Sequence, residues 1–264
     1  MSAISLKSFW WSHRSRIASA FGMVLLMVLL FFPNAARAQL ATEPQAESPE
    51  EYDAYLAVLA TSTPRGVIDA VQEFERKWPR SAMSAHIYEM EMEAYRSLND
   101  PVAAIRAGER ALRAAPDNVA DLAQLAYLIA DTSSEANQLS RAEGLARAEF
   151  ESAQNLHLPR TFPPDRADQI QRKWASMAHS ALGLVNYKRG NFEQAILEFE
   201  AAEDLSPSPD PALQYRLGSL YRVSGNVPKA IDEFEKAENS NDPVVVELAK
   251  ARLKELRRSA TKKP

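Results

Sequence analysis

Residues Ala178 to Pro207, AHSALGLVNYKRGNFEQAILEFEAAEDLSP, and Leu213 to Glu238, LQYRLGSLYRVSGNVPKAIDEFEKAE, decide the fold, because they are two copies of one pattern. Gly183 and Gly218, Gly190 and Gly225, Asn191 and Asn226, Ala195 and Ala230, Phe199 and Phe234, and Ala202 and Ala237 all pair at an offset of 35 residues. Each position has a physical role in a helix-turn-helix unit. Gly183 and Gly218 permit two helices to approach closely. Gly190 and Gly225 suit the left-handed residue after a helix, and Asn191 and Asn226 are placed to cap the next one. Ala195, Phe199 and Ala202 follow at spacings of four and three, so they share one helical face and form a packing stripe.

This pattern resembles the tetratricopeptide repeat, a pair of helices of about 34 residues with the signature W-x2-L-G-x2-Y, A-x3-F, P. Leu182-Gly183, Ala195, Phe199 and Pro207 fit it, as do Leu217-Gly218, Tyr221, Ala230 and Phe234. His179 stands at the Trp position, and Asn186 stands at the Tyr position with Tyr187 beside it. Weaker copies lie upstream. Ala85 to Asn118 places Tyr88, Tyr95, Ala104, Ala111 and Pro116 in frame, with Met92 at the packing glycine and Gly108 at the phenylalanine. Ala70 and Phe74, after Thr63-Pro64 as cap and first-turn proline, make 50–83 the first repeat. A third starts at Val119 with Leu122, Leu125, Ala126 and Ile129, and its second helix is expected to begin late, at the capping box Ser140-x-x-Glu143.

The resemblance implies an all-α, right-handed α-solenoid of about five helix pairs over 50–258, with repeats near 50–83, 85–118, 119–155, 176–209 and 211–242. The step from Ala142 to Ala195 is 53 residues, which exceeds one repeat by 19 and marks an insertion at 156–175. Within it, Asp165 is placed to cap a helix running from Arg166 to about Lys188, whose surplus turns should project from the solenoid. After Pro243 a capping helix over 243–258 is expected to turn Val246, Leu248, Ala249, Leu253 and Leu256 inward and Lys250, Arg252, Lys254 and Arg257 outward. A disordered basic tail, 259–264, follows.

The first 38 residues differ in kind from the rest. They contain Lys7, Arg14, Arg16 and Arg37 and no acidic residue, then an uncharged run from Phe21 to Phe32, a Pro33-Asn34 break and the small-residue triplet Ala36-Arg37-Ala38. This is a secretory signal pattern, predicting cleavage after Ala38 and a mature chain beginning at Gln39. A bilayer span takes about 20 apolar residues, so the run is short for a permanent anchor, although Ile17 to Ala20 extend it and an uncleaved tether stays open. Residues 39–49, polar with two prolines, read as a flexible linker.

The 264 residues carry 31 basic and 35 acidic side chains. Without the four basic residues of 1–38, 27 basic residues remain against 35 acidic, a charge of about −8, which disfavours nucleic-acid binding. There is no cysteine, which excludes disulfides, thiolate metal sites and a cysteine nucleophile. His86, His157 and His179 stand apart in the mature chain, so no metal or cofactor site is implied. No nucleophile elbow or phosphate-cradling glycine loop occurs, and the pairs Glu91/Glu93 and Glu233/Glu235 read as solvated faces, so the chain reads as non-catalytic.

Function must then come from the concave groove that stacked first helices form in this family. Groove positions carried over from the resemblance are Tyr52, Tyr55 and Leu59; His86, Glu89, Glu93 and Arg96; Ala123, Tyr127 and Asp131; Ser180, Leu184, Tyr187 and Lys188; and Tyr215, Ser219 and Arg222. The Lys and Asn pair by which chaperone-binding members clamp a C-terminal carboxylate is missing at the corresponding positions. The resemblance implies a neutral or mixed-charge polypeptide partner of the cell envelope or secreted space, held by tyrosine faces. Three other readings stay open: these tyrosines pack against neighbouring helices, the groove stacks glycans, or the insertion is the docking element.

Overall fold

A computed structural model describes residues 45–154, 163–206, 208 and 210–261. The chain divides into two units, 1–45 and 46–264; the first lies outside the described residues except for Gln45. The signal reading, with Ala36, Ala38 and Gln39, falls there too, as does most of the linker. The second unit is an α-solenoid of eleven helices, with no strand among the described residues. Helices α1 (Pro49–Leu59) and α2 (Pro64–Lys77) form the first pair, α3 (Ser84–Ser97) and α4 (Pro101–Ala114) the second, α5 (Val119–Thr132) and α6 (Ala136–Gln154) the third. α7 (Pro164–Lys188) and α8 (Phe192–Leu205) form the fourth, α9 (Pro211–Val223) and α10 (Val227–Glu238) the fifth, and α11 (Pro243–Thr261) closes the end.

One turn recurs inside these pairs. Gly190 (φ 80°) donates its N–H to the Tyr187 carbonyl and Asn191 to that of Asn186; Gly225 (φ 81°) and Asn226 do the same toward Arg222 and Tyr221. These paired bonds satisfy the last carbonyls of α7 and α9 through a left-handed residue. In the second pair, Asn99 (φ 57°) makes the same turn, with N–H bonds from Asn99 to Arg96 and from Asp100 to Tyr95. Asparagine tolerates this backbone better than most residues, so the turn survives without its glycine.

Packing between paired helices centres on one close approach. A Cβ built on Gly183 would lie 2.5 Å from the Phe199 ring, and one on Gly218 would lie 2.8 Å from Phe234. In the second pair the partners are exchanged: Met92 occupies the glycine position, and a Cβ on Gly108, sixteen residues on, would meet its sulfur at 2.7 Å. Phe199, Phe234 and Met92 are all essentially inaccessible to solvent. Volume is thus conserved across the seam while its source changes helix.

Several local expectations are corrected. α6 starts at Ala136, and the Leu139 N–H already bonds to the Glu135 carbonyl, so Ser140 lies inside the helix, where its hydroxyl accepts from Arg189. The helix gains an extra turn without starting late. α7 begins at Pro164 with Pro163 as its N-cap residue, so Asp165 sits within the first turn and does not cap. Its residues 164–175 include no buried position, and Arg172 reaches across to the Asp204 carbonyl at 2.7 Å. Asn226 caps α10 through the Lys229 N–H, whereas Asn191 makes no side-chain cap bond to α8. On α11, Val245 is buried with Ala249, Leu253 and Leu256, while Leu248 is exposed. Arg252, expected outward, donates to Tyr215 Oη at 3.3 Å.

Neither acidic pair is wholly solvated, for each has one buried member. Glu91 is buried and bonds to Arg110 at 2.7 Å, and the Arg110 guanidinium also reaches Glu75 and stacks 3.9 Å from the centre of the Tyr88 ring. This cluster ties α2, α3 and α4 together across the first two pairs. Glu233 is buried against Lys236 at 2.7 Å. Asp121 and Glu149 are more deeply placed: both are fully buried, and neither carboxylate has a hydrogen-bond partner. Glu149 falls one turn after Ala146 on the inward face of α6, close to His179, whose ring packs at a tilt against Phe150 and bonds to Glu198 at 2.8 Å.

Burial pushes the Asp121 and Glu149 carboxyls up to about 7, with the nearby Glu89 charge adding to the first. The folded state therefore binds protons that the unfolded chain releases. Stability is expected to rise as pH falls from about 7 toward the ordinary carboxylate range, by on the order of 2 kcal/mol per group. Urea unfolding at pH 5.5 and 7.5 checks this: Asp121→Asn and Glu149→Gln should each raise stability at pH 7.5 and flatten the pH dependence. A second expectation concerns the seam. Gly183→Met should destabilise by about 1–3 kcal/mol through overpacking, and Phe199→Gly combined with it should recover part of that loss, giving a favourable coupling in a double-mutant cycle.

Candidate functional site

The first helices of the third, fourth and fifth pairs, with α11, enclose a groove cavity of about 440 Å3. Phe199 of α8 reaches its floor, and Leu184 and Tyr187 of α7, Tyr215 of α9 and Val245 and Leu248 of α11 supply apolar walls. Helical periodicity puts them there: Leu184 and Tyr187 are three apart, as are Val245 and Leu248, so each pair shares a face. Tyr187 is 48% exposed and packs its ring 5.9 Å from Phe192; Tyr215 lies 5.5 Å from Phe234.

The polar side of the cavity is an internally satisfied cross-tie. Arg216 donates to Tyr127 Oη at 3.0 Å and to Asp131 Oδ1 at 2.8 Å, linking α9 to α5. Lys188 donates to the carbonyls of Asp131 and Ser133 at 2.7 and 2.8 Å, and so closes the C-terminal end of α5, where a cation is favoured. Burial holds the Lys188 ammonium below its ordinary value and pushes the Tyr127 hydroxyl up, against the opposing Arg216 charge. The charges are therefore already partnered, and the open part of the cavity is apolar.

Of the residues nominated from the sequence, Leu184, Tyr187, Lys188 and Tyr215 line this cavity together with Asp131 and Ser219. Tyr127 adjoins it through Arg216. The others lie elsewhere. Ser180 is buried, and Arg222 turns toward Glu255 of α11 at 3.5 Å. Glu89 accepts from Gln124 at 3.3 Å, and Arg96 pairs with Glu93 on the same helix. Tyr55 is buried and hydrogen-bonded to His86, with the exposed Tyr52 ring 6.3 Å away. No cluster of residues suited to hold a metal ion occurs among the described residues. Arg216 was missed, although it was legible: it aligns with Ala181 one repeat earlier, a charged residue at a small, buried position. Val245 and Leu248 were missed as groove residues because α11 belongs to no repeat.

Comparison with known proteins agrees with this architecture. The tetratricopeptide-repeat family model matches residues 166–209 and 180–243. Residues 166–243 therefore match tetratricopeptide repeats, and a helical-repeat fold of this class suggests a protein-interaction scaffold. Superkiller protein 3 of Schizosaccharomyces pombe is 27% identical over 143 residues, 54% of this chain, but the match spans only 9% of that relative's length. Among solved structures, residues 41 to the end of MamA from Desulfovibrio magneticus RS-1 superpose with a TM-score of 0.52 at 17% identity, covering 75% of this chain and 99% of that one. PilW, described as a widely conserved type IV pilus biogenesis factor, superposes at 0.52 and 13% identity, covering 76% of this chain and 79% of its own. These likenesses are likenesses of fold.

The cross-tie is testable. Arg216→Lys keeps the charge but cannot bridge Tyr127 and Asp131 in one plane. It should cost about 1 kcal/mol in denaturant unfolding, whereas the same change at the exposed Arg76 should cost almost nothing.

Proposed function

We propose that the chain is an exported, non-catalytic scaffold that holds a polypeptide of the cell envelope or secreted space in the groove between α5, α7, α9 and α11. The cavity over Phe199 carries this reading: it is apolar, open, and lined by tyrosines whose rings offer large contact area at low rotamer cost. It seats one apolar or aromatic side chain of the bound segment. Because Arg216 and Lys188 are engaged by Asp131 and by the end of α5, recognition depends on shape more than on capture of a terminal carboxylate. Export is supported by the basic segment, the uncharged run and the Ala36-Arg37-Ala38 triplet.

Two measurements test the proposal. Mass spectrometry of the protein recovered from its native compartment should find Gln39 as the first residue; an intact Met1 terminus would replace export by a tethered form. Photocrosslinkers placed at Tyr187 and Ser219 in the groove should capture one defined polypeptide that a probe at the exposed Glu193 does not. Tyr187→Ala, which removes a wall, and Ala212→Trp, which fills the cavity, should each cut that capture about tenfold while leaving the melting curve unchanged. Equal capture from Glu193 would move the docking surface out of the groove.

A further inference from the structure

The two ends of the solenoid carry complementary surfaces. α1 packs Glu51, Tyr55 and Val58 inward, which leaves Tyr52, Leu56 and Leu59 on another face, 49%, 41% and 39% exposed. Their spacings of four and three put them in one apolar stripe. From Gln45 to Ala60 the chain carries Glu47, Glu50, Glu51 and Asp53 and no Lys or Arg. At the other end, α11 exposes Val244 (68%) and Ala251; of its five basic side chains in 243–258, Lys250, Arg252 and Arg257 pair with Glu247, Glu255 and Glu235, and Lys254 stands on the exposed face three residues from Ala251. Lys250, Lys254 and Arg257 border a cavity of about 360 Å3 between α11 and Glu238 of α10.

We infer that these ends bind each other between copies of this chain, the acidic, apolar α1 of one copy seating on the outer face of α11 of the next, around Val244, Ala251 and Lys254. A second copy is favoured because each end supplies what the other lacks. Pairing α1 with another α1 would set Glu50 and Asp53 against themselves, and pairing α11 with α11 would oppose its basic side chains, both at an electrostatic cost. The complementary contact joins two different surfaces, so it does not close on itself and adds copies in a row. Exposed ion pairs contribute little each, so the association is weak, concentration-dependent and reduced by salt.

The chain contains no cysteine, so introduced thiols report only the designed contact. Full-length Leu56→Cys and Ala251→Cys chains, each folded by circular dichroism, are oxidised mildly alone and as a mixture. The mixture should give a dimer-sized adduct far in excess of either variant alone, and the doubly substituted chain should give a ladder. Adding Asp53→Lys to the first partner should lower the adduct about fivefold, and Lys254→Glu in the second should restore it. A second pair, Leu59→Cys with Val244→Cys, repeats the measurement at independent positions. An adduct of Leu56→Cys with itself, no adduct in either mixture, or a Leu56→Cys thiol shielded from maleimide by residues 1–44 of its own chain would each overturn the inference.

Discussion

The solenoid depends on one close approach in its defining pairs, between a first-helix position and the residue sixteen further on in the second helix. Where Gly183 and Gly218 lack a side chain, Phe199 and Phe234 fill the space; where Met92 supplies the volume, Gly108 withdraws it. A Cβ on both sides would hold the helices apart, and two glycines would leave a cavity. The inter-helix distance set here determines how the flanking alanines meet and where the next pair stacks. Propensity alone would not favour glycine in the middle of a helix, where it costs about 1 kcal/mol relative to alanine. Its presence at 108, 183 and 218 marks packing as the stronger demand.

Stacking creates both the groove and the buried carboxylates. Because α5, α7 and α9 stand side by side, Arg216 can reach Asp131 across 85 residues of sequence. The same stacking buries Asp121 and Glu149 and leaves their carboxylates without hydrogen bonds. An unpaired buried carboxylate favours its neutral form, and so the third pair carries a stability cost at neutral pH. The third pair is also where the regular repeat is broken by the long α6 and the inserted start of α7.

The repeat pattern was legible because it consists of glycine, alanine and phenylalanine positions whose roles are local: a left-handed turn, a close approach, a packed face. The fifth pair could be read almost residue by residue. Errors arose where geometry over longer range decided the outcome. Ser140-x-x-Glu143 has the composition of a capping box, but the helix had already begun at Ala136, and Ser140 instead meets Arg189 from the next pair. Glu91 has a charged residue's expected exposure until Arg110, nineteen residues later, covers it. In the groove, the first-helix positions brought Leu184, Tyr187, Lys188 and Tyr215 together, but the positions on α1 and α3 do not share that cavity. Nothing local in the sequence could place α11 as its fourth wall.

The arrangement of charge separates two kinds of surface. In the groove, cations are turned onto acceptors of the same chain, Arg216 onto Tyr127 and Asp131 and Lys188 onto the end of α5. A ligand's carboxylate would have to compete with contacts already made at 2.7 to 3.0 Å, so charge adds little there and shape must discriminate. On α11, Lys250, Arg252 and Arg257 are likewise paired within the chain, but Glu50 and Asp53 on α1 and Lys254 on α11 stand on exposed faces beside apolar residues, where charge sign selects between possible pairings. A surface recognised by shape tolerates changes in ionic strength, whereas one selected by sign does not. The two surfaces therefore respond to different conditions.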